Sequence, residues 1–101
     1  MNNALSSLTM CRRAGKMVLG MDPVKEAITN KTLKIVIVAS DLSEKSLKEI
    51  RFVSDKAGIK CFLLDADMNE IWSSLGKRSG ILGICDSGFS KKLEQILKPL
   101  E

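Results

Sequence analysis

The sequence contains no histidine and no tyrosine. The lack of histidine excludes Ser-His-Asp and Cys-His nucleophile systems and removes the side chain that most often serves as a general base. The glycine patterns of a Walker loop and of a dinucleotide-binding turn are absent as well. The remaining candidates for coupled titratable groups are Asp41, Asp86 and the lysines near them. We therefore expect the protein not to be an enzyme.

Cysteine is scarce and widely spaced in this chain. Cys11, Cys61 and Cys85 are odd in number, and each lies in an apolar or periodic segment. A disulfide framework favours an even number of cysteines, and a structural zinc site pairs Cys or His at short spacing. The pattern therefore predicts three reduced cysteines in the core, no metal site and no cofactor.

Long hydrophobic runs are also missing. No apolar stretch approaches the roughly 20 residues of a membrane-spanning helix. The amino terminus lacks the basic start and apolar run of a signal peptide. We therefore expect a cytoplasmic protein with no membrane partner. A length of 101 residues, 45% of them hydrophobic and 28% charged, predicts one globular domain over 1–101.

The charge is unbalanced toward the basic side and aromatic residues are few. Sixteen Lys and Arg against 12 Asp and Glu give a net charge of +4, which favours a nucleic-acid partner. RNA-recognition motifs and OB-folds stack bases on aromatic residues of their strands. Here we expect three of the four aromatic residues to be buried, with Trp72 in the core or an interface. The expected partner is therefore a structured RNA, not DNA, held by amides, cations and small polar groups.

Strand and helix patterns alternate along the chain. The β-branched, almost continuously apolar run 33–39 predicts a central strand covered on both faces. Further strands are predicted over 17–19, over 61–64, which we expect to be buried, and over 81–85. Helices are predicted over 3–14, after Gly20, from a cap at Asp41 to Gly58, from a cap at Asp67 to Gly76, and from Phe89 to Leu100 with an interruption near Pro99. The predicted fold is an α/β three-layer α-β-α sandwich with a central mixed sheet of about four strands.

Three loops at strand ends are candidate binding segments, because the amides of a following helix are exposed there. In the first, Gly20 allows close approach of a partner, Asp22 is predicted to cap the next helix, and Pro23 suits the first helical position. The second loop is 40–42. The third loop, 76–81, has two adjacent cations between glycines, which suits phosphate contact and equally suits a solvated helix end.

Three further segments resemble one known family: LTMCRRAGK at 8–16, LKIVIVASDLS at 33–43 and DSGFSKKL at 86–93. They are similar to the L7Ae (L-seven-Ae) ribosomal protein family of kink-turn RNA-binding proteins, and within it to the small bacterial YlxQ-type branch. The resemblance spans nearly the whole chain. It implies an α-β-α sandwich and a non-catalytic, RNA-binding role connected with ribosomes or translation.

In that family the turn after the first strand has the pattern Gly, any residue, Asn or Lys, then Glu or Gln, with a Lys three positions later. This turn meets tandem sheared G·A pairs where the RNA bends and its groove opens to a helix end. Gly20 and Met21 match by position. The resemblance also aligns the segment 77–81 with the family loop that packs against an extruded base, although cations replace its usual apolar pair.

The same turn departs from the family pattern at the base-reading positions. Asp22 stands at the Asn position, Pro23 at the Glu position, and Glu26 where Lys is expected, with Lys25 one residue earlier. Ionised Asp22 can only accept a hydrogen bond, and Pro23 has neither a polar side chain nor an amide proton. The resemblance therefore implies reduced affinity for a kink-turn.

These observations predict a monomeric protein that binds a bent structured RNA, either ribosomal or linked to translation. The alternative is a protein-interaction module on the same fold that docks through Trp72, Leu75, Leu97 and Leu100. The predicted RNA-binding residues lie at or near strand ends: Lys16, Gly20, Met21, Asp22, Lys25, Ser40, Asp41, Lys77, Arg78, Ser79, Gly80 and Ile81.

Overall fold

Helices and strands alternate in the computed structural model, which describes residues 3–100. The helices are α1 (Asn3–Arg13), α2 (Met21–Thr29), α3 (Glu44–Ala57), α4 (Met68–Leu75) and α5 (Ser87–Ile96). The strands are β1 (Met17–Leu19), β2 (Ile35–Val38), β3 (Lys60–Leu63), β4 (Ile81–Ile84) and β5 (Lys98–Pro99). The alternation predicted from the sequence is confirmed.

The strands form one mixed sheet in the order β1-β4-β2-β3-β5. Only the β2–β3 pair is parallel, whereas β4 runs antiparallel to both β1 and β2, and β5 antiparallel to β3. Every residue of β2 and β4 is buried. The prediction that the apolar run 33–39 forms a central strand is therefore confirmed.

Two hydrophobic clusters separate the sheet from two layers of helices. Successive residues of β2 point to opposite faces, so Ile37 lies in one cluster and Val36 in the other. The first cluster contains side chains of α1, α4 and α5, and the second contains side chains of α2 and α3. The three-layer α-β-α sandwich is confirmed.

The carboxy-terminal part of the sheet differs from the prediction. A fifth strand, β5, pairs with β3, and α5 ends at Ile96 instead of continuing to Leu100. Proline cannot continue a helix, and it favours an extended conformation in the residue before it. The prediction that the third strand is buried is also wrong, since Leu63 is 36% exposed beside this short edge strand.

Most helix ends lie where the sequence predicts them, but the caps at the starts of α2 and α3 differ from the prediction. The capping box of Asp67 and Glu70 is present at α4, and glycines of positive φ follow α1, α3 and α4 as predicted. At α3 the cap is Ser43 and not Asp41. At α2 the N-cap is Gly20, so Asp22 lies inside the first turn and Pro23 is the third helical residue.

Side-chain exposure also corrects two expectations. Phe62 is buried and Phe89 partly buried, but Phe52 and Trp72 are 65% and 58% exposed, so two of the four aromatic residues lie on the surface. The three cysteines are free thiols, of which Cys11 is buried and the others are partly buried. Within residues 3–100, no helix has the length and apolar character needed to cross a bilayer.

Candidate nucleic-acid interface

Three loops meet at one edge of the sheet, because antiparallel pairing places the start of β4 beside the ends of β1 and β2. The amide of Gly20 donates to the carbonyl of Ile81 at 2.9 Å, and the amide of Ala39 donates to the carbonyl of Gly80 at 2.9 Å. We call this surface the loop edge and define it by Gly20, Met21, Asp22, Ser40 and the segment 77–80. Most of the predicted site residues therefore lie together.

The turn before α2 depends on glycine. Gly20 has φ 105° and ψ 161°, a conformation that is essentially closed to residues with a side chain. Its carbonyl accepts the amide of Val24 at 3.1 Å, which begins the helix. The amides of Met21 and Asp22 belong to the first turn, where an α-helix offers no intrahelical acceptor. This helix start can therefore receive acceptor groups of a ligand.

The carboxylate of Asp22 is available to a ligand as well. Its side chain is exposed, and it makes no hydrogen bond or ion pair with another residue of the described part, 3–100. Because Gly20 occupies the N-cap, the carboxylate does not serve as the helix cap. Asp22 lies in the first turn, where its negative charge is favourable for the helix dipole.

The loop after β2 begins with two exposed residues, one of which also joins this loop to α4. The amide of Ser40 donates to the carbonyl of Ala66 at 2.9 Å and leaves the hydroxyl side exposed. Asp41 Oδ1 accepts the amide of Met68 at 3.0 Å, so this carboxylate joins the loop to the start of α4. Ser40 is the residue of this pair that a ligand can reach most directly.

The loop before β4 presents two cations, and hydrogen bonds made by Ser79 hold its backbone in place. Ser79 Oγ donates to the carbonyl of Ile81 at 2.9 Å and accepts the amide of the same residue at 3.3 Å. Arg78 Nη1 donates to Asn69 Oδ1 at 2.8 Å, whereas Lys77 is exposed without an ion pair in the described residues. Ser79 thus shapes the loop, and Lys77 is the cation that can swing toward an anion.

Gly80 allows the second and third loops to pack closely. A Cβ atom at this position would lie 2.7 Å from Leu42 Cδ1 and 3.3 Å from Met68 Sδ. The first distance is shorter than real Cβ contacts, so any larger residue would displace the neighbouring side chains. Gly80 is buried, and we assign it a role in the shape of the loop edge instead of direct contact.

Two predicted residues lie away from the loop edge. The carbonyl of Lys16 accepts the amide of Cys85 at 2.8 Å, which places its backbone at the opposite edge of the sheet. The reason is that Lys16 precedes β1, whereas Gly20 follows it. Lys25 lies on the flank of α2 and forms an ion pair with Glu49 of α3. The structure therefore does not bring Lys16 together with the other candidates.

The three thiols are poorly suited to nucleophilic chemistry. Burial raises the pKa of the Cys11 thiol to about 11, and the charges of Asp86 and Cys85 add to this effect. Burial also raises the pKa of Cys61 and of Cys85. These thiols stay protonated near neutral pH and are weak nucleophiles. Among residues 3–100, no group of three or more Cys, Asp or Glu is arranged to hold a metal ion.

The alternative docking surface does not form as the sequence suggested. Trp72 is 58% exposed, but Leu75 and Leu97 are only 7% and 9% exposed and pack in the α1, α4 and α5 layer. Leu100 packs against the other hydrophobic cluster, on the α2 and α3 face of the sheet. The four residues therefore do not make one continuous apolar surface.

Sequence reasoning gave no role to Phe52, which is the most exposed large apolar side chain among the described residues. The helical spacing of the apolar residues in α3 could have indicated that Phe52 is exposed. Leu47, Ile50, Val53 and Ala57 define the apolar face of α3, and Phe52 does not belong to that series. A large aromatic residue outside the apolar face of an amphipathic helix indicates a surface contact.

Comparison with known proteins agrees with this architecture. Residues 2–94 match the model of the Ribosomal protein L7Ae/L30e/S12e/Gadd45 family. The RNA-binding protein YlxQ of Enterococcus faecium is 34% identical over 95 residues, which cover 94% of this chain and 91% of that protein. A solved structure of a protein with unknown function from Bacillus halodurans C is 25% identical, covers 95% of this chain and 97% of its own, and superposes with a TM-score of 0.87. The chain therefore belongs to the ribosomal protein L7Ae/L30e/S12e/Gadd45 family.

Proposed function

We propose that this protein binds a bent, structured RNA at the loop edge. The observation that supports this most strongly is the start of α2, where Gly20 is the N-cap and leaves first-turn amides beside the exposed Asp22. Membership of the family and similarity to a relative named as an RNA-binding protein support RNA as the partner. The proposed RNA is a kink-turn or a similar bend in ribosomal or translation-linked RNA.

The physical basis is the shape of RNA. The major groove of a regular A-form helix is too deep and narrow for a protein element to enter, whereas a sharp bend opens it. The loop edge offers a helix start for the exposed bases and phosphates, with Ser40 and Lys77 beside it. Amides and a flexible cation suit phosphate oxygens, and Asp22 suits base amino groups, because a carboxylate only accepts hydrogen bonds.

Base readout at this turn is weaker than in a binder with the full family pattern. Asp22 cannot donate a hydrogen bond, and Pro23 cannot contribute a polar side chain. The loss of a good base contact costs about 1–3 kcal/mol. We therefore propose a binder that selects RNA shape more than sequence.

The proposed role is binding without catalysis. The protein acts as a cytoplasmic monomer that needs no cofactor. The lack of histidine and the raised pKa values of the thiols agree with this role. The family and the YlxQ relative are consistent with it.

The test compares three RNAs under one salt condition: a kink-turn hairpin, the same hairpin with its G·A pairs replaced by Watson–Crick pairs, and a plain duplex of equal length. We expect the kink-turn hairpin to bind at least about tenfold tighter than the duplex, the equivalent of one good base contact. Equal affinity for the three RNAs would refute recognition of a bend.

A further inference from the structure

We infer that a groove between α2 and α3 is a second RNA contact, in which Phe52 stacks against an unpaired base of the RNA bound at the loop edge. The inference rests on the proposed function and extends it. The groove has a volume of about 520 Å³ and is lined by Lys25, Ile28, Phe52, Val53 and Lys56, among others. We call it the Phe52 groove.

The ring of Phe52 is exposed to solvent beside packed apolar residues. Its side chain is 65% exposed, while Ile28 and Val53, which line the same groove, are partly buried and pack on the α2–α3 side of the core. A base stacked on an aromatic ring contributes sequence-independent affinity, because every base has a π-face. This property suits a protein whose base readout at Gly20–Pro23 is weakened.

The charges around the groove complement a phosphate backbone. Lys56 Nζ lies over the Phe52 ring, 5.6 Å from its centroid, so a base that stacks on this face displaces the ammonium group toward the phosphates beside it. Lys25 lines the same groove, but its ion pair with Glu49 compensates its charge, so Lys56 is the lining cation without an ion pair in the described residues. Within the described residues, no carboxylate lines the groove, and Asp55 of the same helix lines a different cleft.

The groove is close enough to the loop edge for one RNA to reach both. The α2 residues that line the groove, Lys25, Ile28 and Thr29, follow Gly20 by five to nine residues, which corresponds to about 8–14 Å of helix rise. The volume of the groove falls within the range of pockets that hold small planar ligands.

The test uses the full chain and the kink-turn hairpin in two forms. One form has blunt stem ends. In the other, a short unpaired extension is attached to one stem end, on either the 5′ or the 3′ strand, and each position is tested in turn. Each extension contains 2-aminopurine, whose fluorescence is quenched on stacking. We expect at least one extension to raise affinity by about fivefold or more, with quenching on binding.

Phe52→Leu retains the apolar volume and removes the ring. This variant should lose the gain from the extension and the quenching, while its affinity for the blunt hairpin stays unchanged. Trp72→Leu is the matched control, because it removes another exposed aromatic residue from the opposite helix layer, and it should retain the gain. Lys56→Gln should lower the gain in part.

The outcomes separate this inference from the proposed function. If the blunt hairpin keeps its preference over the duplex but no extension raises affinity, the inference is refuted and the proposed function stands. If Phe52→Leu weakens blunt and extended hairpins equally, or keeps the full gain, the ring does not stack on a base and the inference is refuted. Either of these results with Phe52→Leu would leave a protein partner as the remaining candidate for the groove. If the blunt hairpin shows no preference, both proposals fail.

Discussion

The amide of Gly20 donates a 2.9 Å hydrogen bond to the carbonyl of Ile81, and this bond joins the residue before α2 to the first residue of β4. The start of α2 therefore cannot move independently of the cationic loop at 77–80. The amide of Ala39 makes a matching bond to the carbonyl of Gly80. Because backbone bonds hold the loop edge, a ligand meets a surface that is already ordered, which lowers the entropy cost of binding.

The first prediction concerns the backbone at Gly20. Gly20→Ala places a side chain at φ 105° and ψ 161° and should lower the free energy of unfolding by about 1–3 kcal/mol. The strain is conformational, since the nearest atom to the new Cβ would be Pro23 Cδ at 3.5 Å. The first-turn amides would reorient, so we expect at least tenfold weaker binding of the kink-turn hairpin by fluorescence anisotropy.

The matched control for this variant is Gly58→Ala. Gly58 has φ 72° and follows α3 at the opposite edge of the sheet, and a Cβ there would meet nothing within 4 Å. The control should cost about 1 kcal/mol of stability and leave RNA affinity unchanged. The same loss of affinity in both variants would show that the effect is general destabilisation and not a role of the Gly20 turn.

The second prediction concerns the carboxylate of Asp22. Asp22→Asn removes a negative charge beside the RNA and adds an amide donor, so we expect roughly tenfold tighter binding of the kink-turn hairpin. The loss of a favourable charge at the start of α2 should lower stability by about 0.3–1 kcal/mol in urea unfolding.

The control for Asp22→Asn is Asp55→Asn, which makes the same charge change on an exposed residue near the carboxy-terminal end of α3. Asp55→Asn should raise RNA affinity only slightly. This increase should vanish at high salt, because it arises from weaker long-range repulsion between the protein and the phosphates. An equal gain in the two variants, or no gain in Asp22→Asn, would argue against a contact between Asp22 and the RNA.

The third prediction concerns the cations of the loop edge. The double variant Lys77→Ala with Arg78→Ala should weaken binding of kinked and regular RNA alike, since phosphates are common to both. If both side chains contact phosphates, the slope of log affinity against log salt should fall by about 1.4–1.8. Lys34→Ala with Lys60→Ala changes the same charge at the opposite edge and should leave the slope nearly unchanged. Equal slopes for the two double variants would place the phosphate contacts elsewhere.

The fourth prediction concerns pH and Cys11. Burial raises the pKa of this thiol from its ordinary value of 9.0 to about 11. Between these values the unfolded chain loses the thiol proton while the folded chain keeps it, so the stability present below pH 9 declines as the pH rises toward 11. We expect the wild type to lose about 2 kcal/mol more than Cys11→Ala between pH 8.5 and 10.5, measured by urea unfolding. Equal losses would contradict burial of a neutral thiol.

The elements that could be predicted from the sequence are those with a local signal. The apolar run 33–39 identified the central strand, and the pair Asp67 and Glu70 identified the start of α4. Glycines after α1, α3 and α4 marked the helix ends because the left-handed conformation there favours glycine. These signals depend on neighbouring residues alone, so no tertiary information was needed.

The features that could not be predicted depend on tertiary structure. Asp41 has the spacing of a helix cap, but its carboxylate accepts the amide of Met68, 27 residues away. Lys16 was predicted to contact RNA because of its charge, but the antiparallel pairing of β1 with β4 places it at the edge opposite the loop edge. The β5 strand has only two residues and includes Pro99, so it has no periodic pattern to detect.

The most direct test of the central claim is a titration of ¹⁵N-labelled protein with the kink-turn hairpin, followed by amide chemical shifts. If RNA binds at the loop edge, the shifts are saturable and largest at Gly20, Ser40 and the 77–80 loop. The backbone around Lys16 and Lys60 at the opposite edge should change little. Shifts that are largest at this opposite edge, or that fail to saturate, would contradict binding of RNA at the loop edge.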